Sequence, residues 1–198
     1  MFNVVLIEPE IPPNTGNVIR LCANTGAQLH LVHPLGFTLE DARLKRAGLD
    51  YHEYADLQEH ASFVDFRSTA GPGRIFALST KGSLPYAEAI FSPGDALVFG
   101  PETRGLSLDF LETLPEPQRL FIPMMPGNRS LNLSNAVALV LYEAWQLAER
   151  NEKSAARSIL QEIQQRGSAD QKAAADELLN EITKVRLSLV TPVSRKVS

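Results

Sequence analysis

Short apolar runs alternate with longer amphipathic segments through the first 150 residues. Runs rich in Val, Ile, Leu and Phe, bounded by Pro, Gly or Asn, are typical of strands buried on both faces of a sheet. They predict strands at Asn3–Ile7, Leu29–Val32, Arg74–Ser79, Ala96–Phe99 and Leu120–Ile122, and residues 51–54 can also extend. Such strands, separated by helices, favour an α/β fold with a parallel sheet and helices on both faces.

Helices are predicted between these strands. Asn14 can cap a helix that Gly26 ends, and Thr38 can cap a short helix that runs to Arg46. Residues 55–67 are also predicted to be helical. The longest helix is predicted over residues 132–150, where apolar residues recur at spacings of three and four: Leu133, Val137, Leu141, Ala144 and Ala148.

The composition changes after residue 150. Residues 151–190 contain no strand pattern and many Ala, Gln, Glu and Lys, and Arg166-Gly167-Ser168 interrupts them. Ser168 followed by Gln171 forms a capping box for a second helix. The sequence therefore predicts a domain over residues 1–150 and an extension over residues 151–198, a helical hairpin with a mobile polar tail after Pro192.

The charge divides at the same place. The 198 residues carry a formal charge of −4, made up of −6 in residues 1–150 and +2 in residues 151–198. An acidic body argues against indiscriminate nucleic-acid binding, although basic side chains can still gather locally.

The remaining composition narrows the class of protein. Cys22 is the only cysteine, which excludes an intramolecular disulfide and a cysteine-ligated metal cluster. The N-terminus lacks a basic region before its short apolar run, and the longest apolar stretch is far below the roughly 20 residues of a membrane helix. We therefore expect a cytoplasmic protein without a membrane segment and without a metal.

Candidate chemistry lies in three loops, each of which follows a predicted strand. The chain has neither a P-loop nor a G-x-G-x-x-G motif, which argues against the common nucleotide-binding folds. The loops instead cover residues 14–20, 99–107 and 122–135, and are rich in Gly, Asn, Ser, Glu and Arg. In an open α/β sheet such loops converge beyond the carboxyl ends of the strands, where ligands bind.

Together these loops carry a specific pattern. The chain resembles the SPOUT superfamily of S-adenosylmethionine-dependent RNA methyltransferases, and most closely the bacterial tRNA wobble-nucleotide 2′-O-methyltransferases of the TrmL or YibK type. The resemblance covers about residues 1–150. It rests on Glu8 to Asn17 (EPEIPPNTGN), Arg20 to Gly26 (RLCANTG), Arg46 to Tyr51 (RAGLDY), Phe99 to Leu106 (FGPETRGL) and Ser130 to Ala136 (SLNLSNA).

The resemblance implies a fold that the hydrophobic pattern does not predict. It implies an α/β knot, in which the C-terminal part of the parallel sheet is threaded into a trefoil knot, whereas chains in general avoid knots. It also implies that S-adenosylmethionine binds in this knot through backbone groups. The matching cofactor positions are Leu78, Gly100, Ile122, Ser130 and Leu131.

The resemblance further implies the reaction and its partners. Arg20 matches an arginine that orients or activates the ribose 2′-hydroxyl. A guanidinium is a poor base, so we favour orientation, and removal of the proton to water or through Tyr142 stays open. The expected acceptor is cytidine or a modified uridine at the wobble position of tRNA, expected to be tRNA(Leu), and the expected assembly is a homodimer. Candidate contacts with tRNA phosphates are Arg43, Lys45, Arg46 and Arg129.

Two other interpretations stay open at this point. The same fold can methylate another RNA, such as ribosomal RNA, or act as a binding module without catalysis. The presence of Asn14, Arg20, Glu102 and Ser130 argues against loss of catalysis.

Overall fold

The predicted parallel sheet is present. The structure, a computed structural model, describes residues 1–39, 57–128 and 130–188. All neighbouring strands pair in parallel, in the order β3-β2-β1-β6-β4-β7-β5. The strands are β1 (Asn3–Ile7), β2 (Gln28–Val32), β3 (Leu57–His60), β4 (Ile75–Leu78), β5 (Leu84–Pro85), β6 (Ala96–Phe99) and β7 (Arg119–Phe121).

Five helices and two short 3₁₀ turns are described. The 3₁₀ turns cover Tyr86–Glu88 and Glu116–Gln118. The helices are α1 (Pro12–Thr25), α2 (Phe63–Ala70), α3 (Leu108–Glu112), α4 (Leu133–Arg166) and α5 (Ala169–Ser188). None of these helices is both long enough and apolar enough to span a lipid bilayer.

The middle of the sheet forms the core. Every residue of β4 and β6 is buried, as are the three central residues of β1. Burial on both faces explains why these strands appear as continuous apolar runs. Cys22 is also buried, and burial raises the pKa of its thiol to about 12, consistent with a small core residue.

Helix α1 begins earlier than predicted. Ile11 is its N-cap, and two prolines, Pro12 and Pro13, occupy the first turn, where a missing N–H costs nothing. The prediction that Asn14 caps the helix is therefore wrong, and its side chain bonds elsewhere. Gly26 ends the helix as predicted, with φ +68°.

The helix predicted over residues 55–67 is wrong in its first half. Residues 57–60 form β3, an edge strand whose two middle residues are exposed, so its polar pattern does not look like that of a buried strand. Helix α2 then starts after Ser62, whose hydroxyl accepts a hydrogen bond from the Asp65 N–H at 3.1 Å. The helix predicted from Thr38 to Arg46 and the extended segment at 51–54 fall largely outside the described residues.

Helix α4 continues past residue 150 without a break and ends at Arg166. The predicted end at residue 150 is wrong, because residues 151–166 are strong helix formers and nothing before Gly167 stops them. The capping box of α5 is present: the Gln171 side chain accepts from Ser168 N at 2.9 Å, and Gln171 N donates to the Ser168 hydroxyl at 3.4 Å.

The chain divides into two compact units, Met1–Leu147 and the residues from Ala148 onward. Within the second unit, Leu160 and Ala175 are buried and the Gln164 amide donates to the Asp176 carboxylate. These contacts place α5 against the last turns of α4. The tail after Pro192 lies outside the described residues.

The connection from β4 to β5 runs tightly along β7. Ser79 N donates to the carbonyl of Leu120 at 2.9 Å, and Ser83 N donates to that of Arg119 at 2.8 Å. A Cβ at Gly82 would lie 2.3 Å from the Leu120 carbonyl group, so this position requires glycine. Strand β7, which comes later in the chain, therefore lies between two strands that are joined by only a few residues.

A buried histidine pair joins β1, β2 and β3. Asn3 donates its amide to the Gly94 carbonyl, so its Oδ1 accepts from His30 Nε2 at 3.1 Å. His30 Nδ1 then accepts from His60 Nε2 at 3.0 Å. His60 Nδ1 faces the Thr69 hydroxyl at 3.2 Å, with the Asp65 carboxylate 3.9 Å away. This chain of hydrogen bonds requires a neutral His30 ring, protonated on Nε2.

This pair predicts that stability falls in mild acid. Burial, and secondly the charge of His60, lower the pKa of His30 to about 4; burial also lowers the pKa of His60, although Asp65 opposes this. The unfolded chain therefore binds protons first as pH falls below about 6.5. Between pH 7.5 and 5.5 we expect His30 alone to remove about 1.3 kcal/mol of stability, measured by urea unfolding. A protein equally stable at both pH values would contradict the prediction.

Candidate functional site

A cavity of about 500 Å³ lies at the carboxyl ends of β4, β6 and β7. Its volume is within the range of small-molecule sites. Three segments surround it: loop B (residues 100–107), loop C (residues 122–128 and 130–132) and the turn at residues 79–82. The lining residues used below are Asn14, Leu78, Lys81, Gly100, Glu102, Arg104, Ile122, Ser130, Leu131 and Asn132.

The five predicted cofactor positions meet in this cavity. Leu78 ends β4, Gly100 follows β6, Ile122 follows β7, and Ser130 and Leu131 precede α4. They are brought together because parallel strands end at the same edge of a sheet. Leu78 and Ile122 give the cavity apolar walls, while Ser130 provides a hydroxyl.

The Glu102 carboxylate ties loop B to the segment after β1, residues 8–14, here called loop A. It accepts hydrogen bonds from Glu10 N at 2.8 Å, Ile11 N at 3.3 Å and Asn14 Nδ2 at 3.0 Å. Two of these donors are backbone groups at the start of α1, which have no partner inside a helix. Glu102 therefore stabilises the N-terminus of α1 and cannot easily leave this position.

Asn14 extends the connection to loop C. It is 5% exposed, and its Oδ1 accepts from Asn132 Nδ2 at 2.8 Å. Asn132 Oδ1 in turn accepts from the Ser134 hydroxyl at 2.8 Å and from Asn135 N at 3.3 Å, which caps the start of α4. One buried amide thus fixes loops A, B and C relative to each other.

Glu10 makes the reverse connection from loop A to loop B. Its carboxylate accepts from Thr103 N at 3.0 Å and from the Thr103 hydroxyl at 2.9 Å. The side-chain and then the backbone hydrogen bond from Thr103 lower the pKa of Glu10, and the charge of Arg104 lowers it further. Arg104 itself contacts the carboxylates of Glu8 and Glu10.

Loop B folds back tightly on itself. A Cβ at Gly100 would lie 2.5 Å from backbone atoms of Gly105 and Leu106, and Gly105 has φ +64°. Gly105 N donates to the Pro101 carbonyl at 2.8 Å, which closes the turn. Both glycines are therefore required by the shape of the loop.

The predicted catalytic residues do not line the cavity. Arg20 is exposed on α1, and Tyr142 is 41% exposed on α4, with its ring centroid 5.9 Å from that of Trp145. The predicted RNA contacts Arg43, Lys45, Arg46 and Arg129 lie outside the described residues.

Sequence reasoning assigned no role to Glu10, Thr103 or Lys81. Glu10 lies in the EPEIPPNTGN motif, but its partner Thr103 is 93 residues away, and local sequence gives no sign of that contact. Lys81 comes two residues after the predicted strand Arg74–Ser79, whose carboxyl end lies at the cavity. That position is the sequence feature that points to Lys81.

Comparison with known proteins identifies the family of this chain. Residues 1–142 match the model of the SpoU rRNA methylase family. The chain is 60% identical over 150 residues to a tRNA (cytidine(34)-2′-O)-methyltransferase of Burkholderia ambifaria, which covers 75% of this chain and 96% of that protein.

Solved structures agree with this match. A structure described as "Structural insights into the 2-OH methylation of C/U34 on tRNA" is 48% identical, with a TM-score of 0.68 over 74% of this chain and 95% of that one. An AdoMet-bound rRNA methyltransferase from Sinorhizobium meliloti is 25% identical, with a TM-score of 0.61 over 73% of this chain and 56% of that one.

One solved structure is similar over nearly the whole chain. TrmJ from Z. mobilis ZM4 has a TM-score of 0.59 over 96% of this chain and 98% of that one, at 21% identity. This likeness concerns the fold alone. The region of similarity extends past residue 150.

Proposed function

Because this chain belongs to the SpoU rRNA methylase family, we propose that it methylates the ribose 2′-hydroxyl of the wobble nucleotide of tRNA, cytidine or a modified uridine. The observation that carries the proposal is 60% identity to a tRNA (cytidine(34)-2′-O)-methyltransferase over 96% of that protein's length. The family is named for rRNA, but the name of this relative, which is 60% identical to the chain, gives tRNA as its substrate. We take tRNA(Leu) as the first acceptor to test.

The methyl donor is S-adenosylmethionine, whose sulfonium supplies an activated methyl group when it is bound. The cavity fits such a ligand: it is large enough, it has apolar walls at Leu78 and Ile122, and Gly100, which has no side chain, is among its lining residues. We assign Leu78, Gly100, Ile122, Ser130 and Leu131 to its binding. Backbone N–H and C=O groups would recognise the edge of adenine while the apolar side chains cover its face.

The chain's own chemistry is orientation and removal of a proton. We assign Arg20 to orient the 2′-hydroxyl and neighbouring phosphate, because a guanidinium binds oxygen anions through two parallel hydrogen bonds but is too basic to accept a proton readily. The hydroxyl proton passes to water, either directly or through Tyr142, whose phenol gives up its own proton as it accepts another. Arg43, Lys45, Arg46 and Arg129 are assigned to tRNA phosphates.

We propose that the active enzyme is a homodimer. Arg20 and Tyr142 do not line the cavity of one chain, so a second subunit would supply the missing side of the site. Exposed apolar side chains on α4 support a protein contact there: Leu139, Tyr142 and Trp145 are 41%, 41% and 39% exposed.

The trefoil knot and the division at residue 150 are further parts of the proposal. A knot is supported by the position of β7 between β4 and β5, two strands that both precede it in the chain. A methyltransferase domain over residues 1–150 and an extension over residues 151–198 are supported by the family match, which ends at residue 142. We place the activity in the cytoplasm, together with its tRNA substrate.

The decisive experiment is to map the methylated nucleotide. The purified protein is incubated with labelled S-adenosylmethionine and total tRNA, and the modified position is read by mass spectrometry of nuclease fragments. We expect one ribose methyl group at the wobble nucleotide. A tRNA(Leu) transcript with 2′-deoxycytidine at that position should accept none. Methylation of ribosomal RNA in preference to tRNA, or no transfer at all, would overturn the proposal.

A further inference from the structure

Two cationic side chains, Arg104 and Lys81, are among the residues that line the cavity. Arg104 is already paired, because its guanidinium contacts the carboxylates of Glu8 and Glu10. The turn at residues 79–82 contributes Lys81 to the lining. Within the residues that the structure describes, no carboxylate pairs with this ammonium group.

The turn that presents Lys81 is held firmly. Lys81 N donates to the Ser79 hydroxyl at 3.2 Å, and Gly82 N donates to the Ser79 carbonyl at 3.1 Å. Ser79 N is in turn bonded to Leu120 of β7. Because the backbone is fixed, only the side chain of Lys81 loses freedom when it binds a ligand, which lowers the entropic cost.

We propose that Lys81 binds the α-carboxylate of S-adenosylmethionine, an inference that rests on the function proposed above. The amino-acid part of this ligand has one anionic group, the carboxylate, and two cationic groups, the ammonium and the sulfonium. An ammonium group that lines the cavity and pairs with no carboxylate of the described residues is complementary to the ligand's carboxylate. Lys81 also lies three residues after Leu78, at the end of the strand that is assigned to the cofactor.

The test compares two ligands that differ in this carboxylate. Dissociation constants for S-adenosylmethionine and decarboxylated S-adenosylmethionine are measured by calorimetry for the unaltered protein, Lys81→Gln and Lys81→Arg. We expect Lys81→Gln to weaken S-adenosylmethionine about fivefold, the effect of one partly exposed ion pair. The decarboxylated ligand should change less than twofold, and Lys81→Arg should retain most of the affinity.

Arg67→Gln is the matched control, because it removes one positive charge from the exposed end of α2. It should leave both dissociation constants unchanged. Equal weakening of both ligands by Lys81→Gln, or no weakening of either, would overturn the assignment.

A parallel titration with tRNA separates the cofactor carboxylate from an RNA phosphate. If Lys81→Gln lowers tRNA affinity and its dependence on salt while cofactor affinity is unchanged, Lys81 binds phosphate and the inference is wrong. An unaltered protein that binds S-adenosylmethionine but transfers no methyl group to tRNA contradicts the proposed function alone. Failure to bind S-adenosylmethionine overturns both.

Discussion

Replacing Arg20 by alanine is expected to lower kcat/KM for tRNA methylation by about a hundredfold to a thousandfold, the usual effect of removing one positioned donor from a reacting oxygen. The dissociation constant for S-adenosylmethionine should stay within about twofold, because Arg20 lies on the exposed side of α1 and not among the residues that line the cavity. Single-turnover rates at saturating tRNA and calorimetry with the cofactor measure the two quantities separately.

Two further variants show whether the geometry or the charge of the Arg20 side chain is responsible for its effect on tRNA methylation. Arg20→Lys keeps the positive charge but loses the planar fork, so it should recover only a small part of the activity if Arg20 orients the hydroxyl. Arg67→Ala removes an exposed arginine from α2 and should retain full activity. An Arg20→Ala protein that methylates tRNA normally, or one that loses cofactor binding in proportion to activity, would contradict the assignment.

The sequence predicts the fold best where strands are buried on both faces. Residues 96–99 form a strand with the predicted bounds, because β6 lies in the middle of the sheet and all of its residues are apolar. Strand β3 is missed because it pairs with β2 alone and leaves Gln58 and Glu59 exposed, so its polarity does not distinguish it from a helix. Strand β5 has two residues, too few to form a pattern.

In the candidate site too, features that depend on neighbouring residues can be predicted from the sequence, whereas contacts between distant segments cannot. Glycines and helix caps in loops B and C are visible in the sequence, because their chemistry depends on near neighbours. Two hydrogen bonds join segments more than 90 residues apart: Thr103 N donates to the Glu10 carboxylate, and Glu10 N donates to the Glu102 carboxylate. They exist because β1 and β6 are adjacent in the sheet, and strand order cannot be obtained from hydrophobic periodicity.

The position of β7 between β4 and β5 is the part of the fold that local pattern predicts least, and Gly82 offers a direct test of it. Gly82→Ala is expected to lower the free energy of unfolding by about 3 kcal/mol, at the upper end of the cost of overpacking. The added Cβ would lie 2.3 Å from the Leu120 carbonyl and 2.8 Å from Phe121 N, and these backbone atoms cannot turn aside as a side chain could.

Urea unfolding of Gly82→Ala should be compared with that of Gly73→Ala, since a Cβ at Gly73 would make ordinary contacts at 3.6 Å and its φ is not in the left-handed region. Gly73→Ala should change stability by less than about 1 kcal/mol, and in the favourable direction if it mainly restricts the unfolded chain. Equal urea midpoints for the two variants would contradict the close approach of the 79–82 turn to β7. If the expected difference is found, the segment that carries Lys81 is held against the strand that leads to Ile122. One glycine then sets both the close approach of the 79–82 turn to β7 and the position of two walls of the cavity.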